Sequence, residues 1–237
     1  MTPSDTASQT YRSMTPHGEL VLTIERGDRT RAALMLEGTF LMDSRVAEGE
    51  VELARRAFAF RSEQAGSRKE RGLRVLVGGL GLGITLAAVL KMPGVGRVDV
   101  VEIFSAVVEW NRAPLAPFNR NALADARVRV YEMDLRRFLL AREEGEERYD
   151  LLLLDIDNGP TWLSLPDNRW LYEKEGIAAL RARAETGGVI AFWATERSKE
   201  FERALESEKW AETRREAVHI PLDAHRSFED ILYLVRV

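Results

Sequence analysis

Four places in this chain carry residue types that can hold and align a small charged molecule. Glycines stand at Gly79, Gly81 and Gly83 in "RVLVGGLGLGITLAAVLK". Glycine lets the backbone turn sharply and approach a ligand closely. A helix that follows offers free N–H groups and a positive dipole end. Glu102 closes "RVDVVEI", 19 residues after Gly83 (102 − 83), a distance at which an acid can accept hydrogen bonds from two ribose hydroxyls. Asp134 follows "ARVRVYEM". It can accept a bond from an adenine amino group, cap the helix "LRRFLL", or do both. Asp155 follows four leucines, where a carboxylate needs partners and can orient or deprotonate an incoming nucleophile. Asp157 and Asn158 precede Gly159-Pro160 and double as turn residues. With Trp162 they are the candidate substrate-binding groups, since an aromatic beside such a rim can wall a pocket.

Composition narrows the chemistry. The chain of 237 residues has no cysteine and three histidines, His17, His219 and His225. Thiol nucleophiles and thiolate metal sites are therefore excluded, and no metal site is expected. The formal net charge is -4, from 34 basic and 38 acidic residues, so a nucleic-acid surface working by bulk charge is not expected. No stretch approaches the roughly 18 apolar residues of a membrane span. The N-terminus lacks an apolar signal core, so a cytoplasmic protein is expected.

The elements that must position these groups alternate. Residues 1–18 are read as a loose arm. Residues 19–62 are read as a small β-element, with turns at Gly27-Asp28 and Glu37-Gly38, followed by the helix "EGEVELARRAFAF" with Val51, Ala54, Ala57 and Phe58 on one face. "RSEQAGSRKERG" reads as a charged linker, and "REEGEER" as a solvated helix end. From residue 63 to residue 237 strand and helix patterns repeat, which predicts a doubly wound α/β sheet of seven strands. The strand "YDLLLLDI" is apolar on both faces, as a central parallel strand is. "ETRREAVHI" and "EDILYLVRV" follow each other with no helix between, so the last strand is expected to be antiparallel. Ligands of such sheets bind beyond the C-terminal strand ends, where all four candidate places fall.

The spacing G-x-G-x-G does not fit the dinucleotide fingerprint G-x-G-x-x-G, and no acid/base pair for hydride transfer is visible. Together with the acid ending strand two and the antiparallel last strand, it resembles the class I methyltransferase fold, which binds S-adenosylmethionine. "RVLVGGLGLGITLAAVLKMPGVGRVDVVEI" further resembles the spermidine synthase family, with its "GGGDGG-TLREVLK" and "VEID". "RYDLLLLDIDNGP" is similar to the family's "YDVIIVDSSDP", and "LEGTFLMDSR" resembles the end of its N-terminal β-domain. The resemblance covers about residues 19–195. It implies that Glu102 binds the ribose, Asp134 the adenine amine and Asp155 the attacking amine. It also implies decarboxylated S-adenosylmethionine as donor and a diamine as acceptor.

Two family acids are absent: Leu82 falls on the aspartate of "GGGDGG", and Asn158 on the last aspartate of "DSSDP". Aminopropyl transfer and methyl transfer from S-adenosylmethionine therefore both remain open. The expected protein is a transferase that moves an alkyl group from an S-adenosyl sulfonium to a small-molecule amine, and a homodimer. The competing reading is a non-catalytic adenosyl-ligand binder or dimeric scaffold on the same fold.

Overall fold

A computed structural model of the chain describes residues 7–27, 30–65, 72–141, 148–221 and 227–237. It begins with a four-stranded antiparallel meander: β1 (Ala7–Thr15), β2 (Gly18–Arg26), β3 (Arg31–Leu36) and β4 (Thr39–Asp43). Leu20, Leu22 and Ile24 of β2 alternate inward and are buried, as their spacing predicts. The turn at Glu37-Gly38 has φ of 49° and 75°, the left-handed pair that a two-residue hairpin uses.

The expected loose arm is corrected here. Residues 7–15 are a strand, paired one to one with β2 from Ala7 opposite Arg26 to Thr15 opposite Gly18. The strand escapes a reading of apolar period because most of its described side chains are exposed or half-exposed. Backbone pairing to β2 orders it.

After a short 3-10 turn at Ser44–Val46 comes α1 (Glu48–Ala65), longer than its pattern indicates and including the start of the supposed linker. Residues 66–71, the rest of that linker, lie outside the described residues. Leu53, Ala54, Ala57, Phe58 and Phe60 are buried, whereas Val51 is 40% exposed and does not join that face. The helix packs on four strands of the large sheet and on the helix that follows the glycine loop, so it belongs to the main body rather than to the β-element.

The main body runs β5 (Leu73–Gly78), α2 (Ile84–Val89), β6 (Val95–Glu102), α3 (Ser105–Arg112), α4 (Ala116–Asn119), β7 (Val128–Glu132), α5 (Leu135–Leu140), β8 (Tyr149–Leu154), α6 (Lys174–Arg183), β9 (Ala184–Ala194), α7 (Lys199–Leu205), β10 (Glu212–Pro221) and β11 (Ser227–Arg236). The seven strands lie in the order β10-β11-β9-β8-β5-β6-β7. β5, β6, β7, β8 and β9 are mutually parallel, and β11 runs antiparallel to both β9 and β10, as the sequence indicates. β8 is central, and Leu151 to Leu154 are at most 3% exposed. The antiparallel direction of β11 brings its N-terminal half to the same rim as the C-terminal ends of the parallel strands.

Two cores cover the sheet. On one face α1, α2 and α3 pack together with the small sheet, with Leu22, Leu34, Leu53, Val77 and Val107 among the contributors. On the other face α5, α6 and α7 pack around Phe138, Ile177, Phe192 and Phe201. Inside β6, Asp99 is almost fully buried yet fully engaged: Arg97 grips both its oxygens at 2.8 and 2.7 Å, and the Tyr149 hydroxyl donates to it at 2.7 Å. Such satisfaction is what allows a carboxylate inside a sheet. Among the described residues no helix is long and apolar enough to cross a membrane. "REEGEER", apart from Arg148, and His225 lie outside the described residues.

Candidate active site

The strand register places the candidates side by side. Gly78 of β5 is the parallel neighbour of Leu154 of β8, so the glycine loop and Asp155 leave the sheet together. The Asp155 N–H donates to the Gly78 carbonyl at 3.0 Å, and the Gly79 N–H donates to the Val101 carbonyl of β6 at 2.9 Å. Gly79 has φ of 85° and Gly81 of 49°, both in the left-handed region. A Cβ on Gly79 would run into the Asp155 carbonyl oxygen, and one on Gly81 into the Met42 side chain. Met42 comes from β4, and its sulfur accepts the Leu82 N–H at 3.2 Å. The small sheet thus buttresses the loop.

Glu102 is the loop's second support. Its Oε2 accepts the Leu80 N–H at 2.9 Å and its Oε1 the Phe104 N–H at 2.8 Å. Burial raises its pKa, while the N–H groups of Phe104, Leu80, Gly81 and Ile103 pull the other way. Asp134 caps α5 by accepting the Arg137 N–H at 2.9 Å, and it also faces the cleft. Asp155 accepts a short bond of 2.6 Å from the Thr85 hydroxyl of α2. Burial raises the Asp155 pKa, and the Thr85 hydroxyl opposes the rise.

These groups line one cleft with a cavity volume of about 230 Å³. Gly79, Gly81, Glu102, Ile103, Phe104 and Met133 line it from the β5, β6 and β7 side, and Glu50, Asp155, Asp157, Trp193 and Asp230 from α1 and the β8, β9 and β11 side. The centroids of the His17 and Phe104 rings lie 5.9 Å apart in an edge-to-face pair, so the β1–β2 turn rests against the segment that follows β6.

Three candidates are placed differently from their sequence reading. Gly83 does not line the cleft. It starts α2, and a Cβ there would meet Asn111 and Asn119, so it is a packing position. Trp162 is 60% exposed and also lies off the cleft, because the chain folds back at Gly159 against Ala194 and carries residue 162 outward. Asp157 faces the cleft but is spoken for: it accepts bonds from the Ser164 N–H at 2.6 Å, the Asn168 amide at 2.9 Å and the Tyr172 hydroxyl at 3.1 Å. Asn158 lines the cleft, and its carbonyl accepts the Thr195 N–H at 2.8 Å. Leu82, at the family's aspartate position, is fully buried in the apolar core and does not reach the cleft. His219 is a surface residue 3.7 Å from Glu229.

The sequence reading missed Glu50, Asp230, Trp193, Met42 and Thr85. Trp193 stands one residue before the end of β9, and the others lie outside the ends of the parallel strands. The tertiary fold alone brings them to the rim. Glu50 sits in the first turn of α1, and Asp230 in β11. Burial, then the nearby Asp155 and Asp230 charges, push the Glu50 carboxyl up to about 8. Burial pushes Asp230 up to about 6, with the Trp193 side chain acting against it. Seven carboxyl side chains line the cleft: Asp43, Glu50, Glu102, Asp134, Asp155, Asp157 and Asp230. Among the described lining residues there is no lysine, arginine or histidine. Among the described residues no group of His, Asp and Glu side chains is arranged to hold a metal ion.

Comparison with known proteins fits this geometry. The family model for the spermine/spermidine synthase domain matches residues 62–221. A polyamine aminopropyltransferase of Saccharolobus islandicus is 30% identical over 128 residues, 54% of this chain and 40% of that protein. Polyamine aminopropyltransferase 2 of Bacillus cereus is 34% identical over 92 residues, 38% of this chain and 24% of that protein. The chain spans less than half the length of these curated relatives. Among solved structures, a spermidine synthase in complex with the transition-state analogue AdoDATO superposes with a TM-score of 0.73 at 17% identity, covering 95% of this chain and 72% of that one. The spermidine synthase of Thermotoga maritima gives a TM-score of 0.71 at 16% identity, with the same coverage. These two similarities establish the shared fold.

Proposed function

The chain belongs to the spermine/spermidine synthase domain family, and from that premise we propose that it is an aminopropyltransferase, moving the aminopropyl group of a decarboxylated S-adenosylmethionine to a small-molecule amine. The observation that carries this reading is the charge of the cleft: seven carboxyls and, among the described lining residues, no basic side chain. A donor that kept its carboxylate would bring an anion to a wall of carboxyls without a cation to meet it. A decarboxylated donor brings the ammonium without the carboxylate. Leu82 brings no charge to the cleft, and three of its acids arrive from other elements, Glu50 from α1, Asp155 from the end of β8 and Asp230 from β11.

The chain's residues fit an adenosyl group. The Gly79–Gly81 turn leaves no room for a Cβ, so backbone forms that wall. Glu102 holds the loop amides and offers its remaining lone pairs to ribose hydroxyls. Ile103, Phe104 and Met133 give an adenine ring apolar contact. Asp134 commits one oxygen to its cap and offers the other to the adenine amino group.

Transfer then needs alignment above all, because a sulfonium is already activated. The acceptor amine enters protonated and gives one proton to Asp155, held in place by Thr85. The freed lone pair attacks the carbon bonded to sulfur. The new N–C bond forms, the C–S bond breaks, and its electron pair stays on sulfur as the neutral thioether methylthioadenosine. The new secondary amine keeps the two hydrogens of the attacking nitrogen and leaves as an ammonium, and the proton taken by Asp155 passes to solvent.

Thermal shift with matched donors tests the reading. Decarboxylated S-adenosylmethionine at about a hundredfold its Kd adds roughly 2.7 kcal/mol of apparent stability. The carboxylated donor at the same concentration gives a smaller shift. A larger shift with the carboxylated donor would turn the assignment to methyl transfer.

A further inference from the structure

We propose that Asn111 and Asn119 are positioning residues for the donor: from behind the cleft they hold the two peptide planes between Gly81 and Gly83 in the orientation that seats the nucleoside, and so set donor affinity without touching the donor. The proposal rests on the reading of the glycine loop as the donor's seat, and it assigns a role to two residues that no strand-end motif contains.

Glycine makes such a device necessary. Gly81 and Gly83 stand at φ of 49° and 78° on either side of Leu82. Glycine takes either sign of φ at little cost, so the planes 81–82 and 82–83 have no steric reason of their own to keep one orientation. Hydrogen bonds supply one. The Gly81 carbonyl accepts from Asn111 Nδ2 at 2.8 Å, and at the other end of that plane the Leu82 N–H donates to the Met42 sulfur at 3.2 Å. The Leu82 carbonyl accepts from Asn119 Nδ2 at 3.3 Å, while the Gly83 N–H donates to the Leu80 carbonyl at 2.7 Å. Each plane is thus pinned at both ends. A flip of the first plane would turn an N–H toward the Asn111 amide donor and leave that donor unanswered.

The two amides form one closed network. Both are at most 1% exposed, and neither lines the cleft. Asn119 Nδ2 donates to Asn111 Oδ1 at 2.6 Å. Asn111 Nδ2 also donates to the Val107 carbonyl at 2.8 Å, one turn back in α3, and Asn119 Oδ1 accepts the Ala122 N–H at 3.2 Å. The four amide hydrogens and both oxygens are engaged, so turning either amide over sets donor against donor or acceptor against acceptor. A buried network satisfied in this way specifies a single arrangement. The chain accepts strain to complete it. Directly after Asn119, Arg120 and Asn121 both stand at φ of 57°, a left-handed conformation that is costly for residues other than glycine. That double turn leads from the end of α4 to Ala122, whose N–H closes the network. A Cβ on Gly83 would meet both amides, so the start of α2 and the pair are fitted to each other.

Binding, kinetics and spectroscopy on the full chain test this together. Methylthioadenosine affinity is measured by calorimetry, well below the melting temperature, in wild type, Asn111→Ala and Asn119→Ala. Rates are measured with decarboxylated S-adenosylmethionine and 1,4-diaminobutane. Each variant should weaken the nucleoside by about tenfold, which is about 1.4 kcal/mol and the scale of one hydrogen bond. Donor KM should rise alike, while kcat and acceptor KM stay near wild type, because bound donor restores the working shape of the loop. In protein carrying isotope-labelled glycine, the Gly81 and Gly83 amide signals should broaden or split in the free variants and return to one sharp set with saturating methylthioadenosine. Phe201→Leu, in the core on the opposite face of the sheet, is the control: it lowers the melting temperature and leaves affinity and these signals unchanged. Wild-type affinity in both asparagine variants, sharp single Gly81 and Gly83 signals in them, or a fall in kcat as large as the fall in kcat/KM would overturn the pair's role while leaving the donor site standing. Failure of both variants to fold would also overturn it, by making the pair a support of the whole domain. Absence of turnover in wild type would overturn the aminopropyltransferase reading alone, and the binding and spectroscopic results would still judge the pair. Failure of wild type to bind methylthioadenosine would overturn the donor seat, and the pair's role with it.

Discussion

The Thr85 hydroxyl donates to Asp155 Oδ2 at 2.6 Å, joining the helix that follows the glycine loop to the end of the central strand. This bond fixes the rotamer of the proposed proton acceptor and opposes the rise that burial imposes on its pKa. Thr85→Val keeps shape but deletes the donor. The acid limb of the rate profile then moves to higher pH and kcat falls, while donor KM changes little. Thr85→Ser restores both. A Thr85→Val profile that superposes on wild type would remove Thr85 from the proposed mechanism.

Glu102 holds two backbone amides at once, Leu80 and Phe104. Glu102→Ala leaves those buried donors unanswered, at about 1–3 kcal/mol each. Melting temperature and methylthioadenosine affinity should therefore fall together. A 2′-deoxy nucleoside should bind wild type more weakly than methylthioadenosine, yet lose little further in the variant. Full additivity of the two losses would show that the ribose hydroxyl does not meet Glu102.

Gly81 stands at φ of 49° with Met42 where a Cβ would go. Gly81→Ala should cost about 1–3 kcal/mol by strain, read as a lower urea midpoint, and should weaken nucleoside binding. Adding Met42→Ala relieves the contact but not the backbone strain, so recovery is partial. Full recovery would assign the whole effect to Met42, and no recovery to the backbone alone.

Glu50 gives the free protein a specific pH dependence. Its folded carboxyl is raised to about 8 from 4.5, so its contribution is fully present below the unfolded value and is lost as pH rises through the folded one. Asp230, raised to about 6 from 3.8, acts in the same direction. Between pH 5 and pH 8 the ligand-free protein should therefore melt at progressively lower temperature. Glu50→Gln should flatten that slope. A slope unchanged by Glu50→Gln would place its origin elsewhere.

These contrasts show what local sequence carries. The glycine loop, Glu102, Asp134 and Asp155 were legible because each sits at the end of an apolar run, and strand ends of a parallel sheet share a rim. The sheet and its antiparallel last strand were legible from the order of the same runs. β1 was not, because a strand exposed along most of its length has little apolar period. Trp162 was misplaced because spacing does not say how a loop leaves the rim, and the fold-back at Gly159 turns it to solvent. Glu50 and Asp230 were invisible because one begins a helix and the other interrupts a strand pattern. Each meets the cleft through packing between elements about 180 residues apart (230 − 50).

The most direct test of the account follows the leaving group. Purified protein is incubated with decarboxylated S-adenosylmethionine and 1,4-diaminobutane, and in parallel with S-adenosylmethionine and the same amine. Both reactions are resolved for nucleoside products. The account predicts methylthioadenosine and an aminopropylated amine in equal amounts from the first mixture, with the rate lowered by about 10²–10⁴ in Asp155→Asn. Turnover only in the second mixture, releasing S-adenosylhomocysteine, would contradict it.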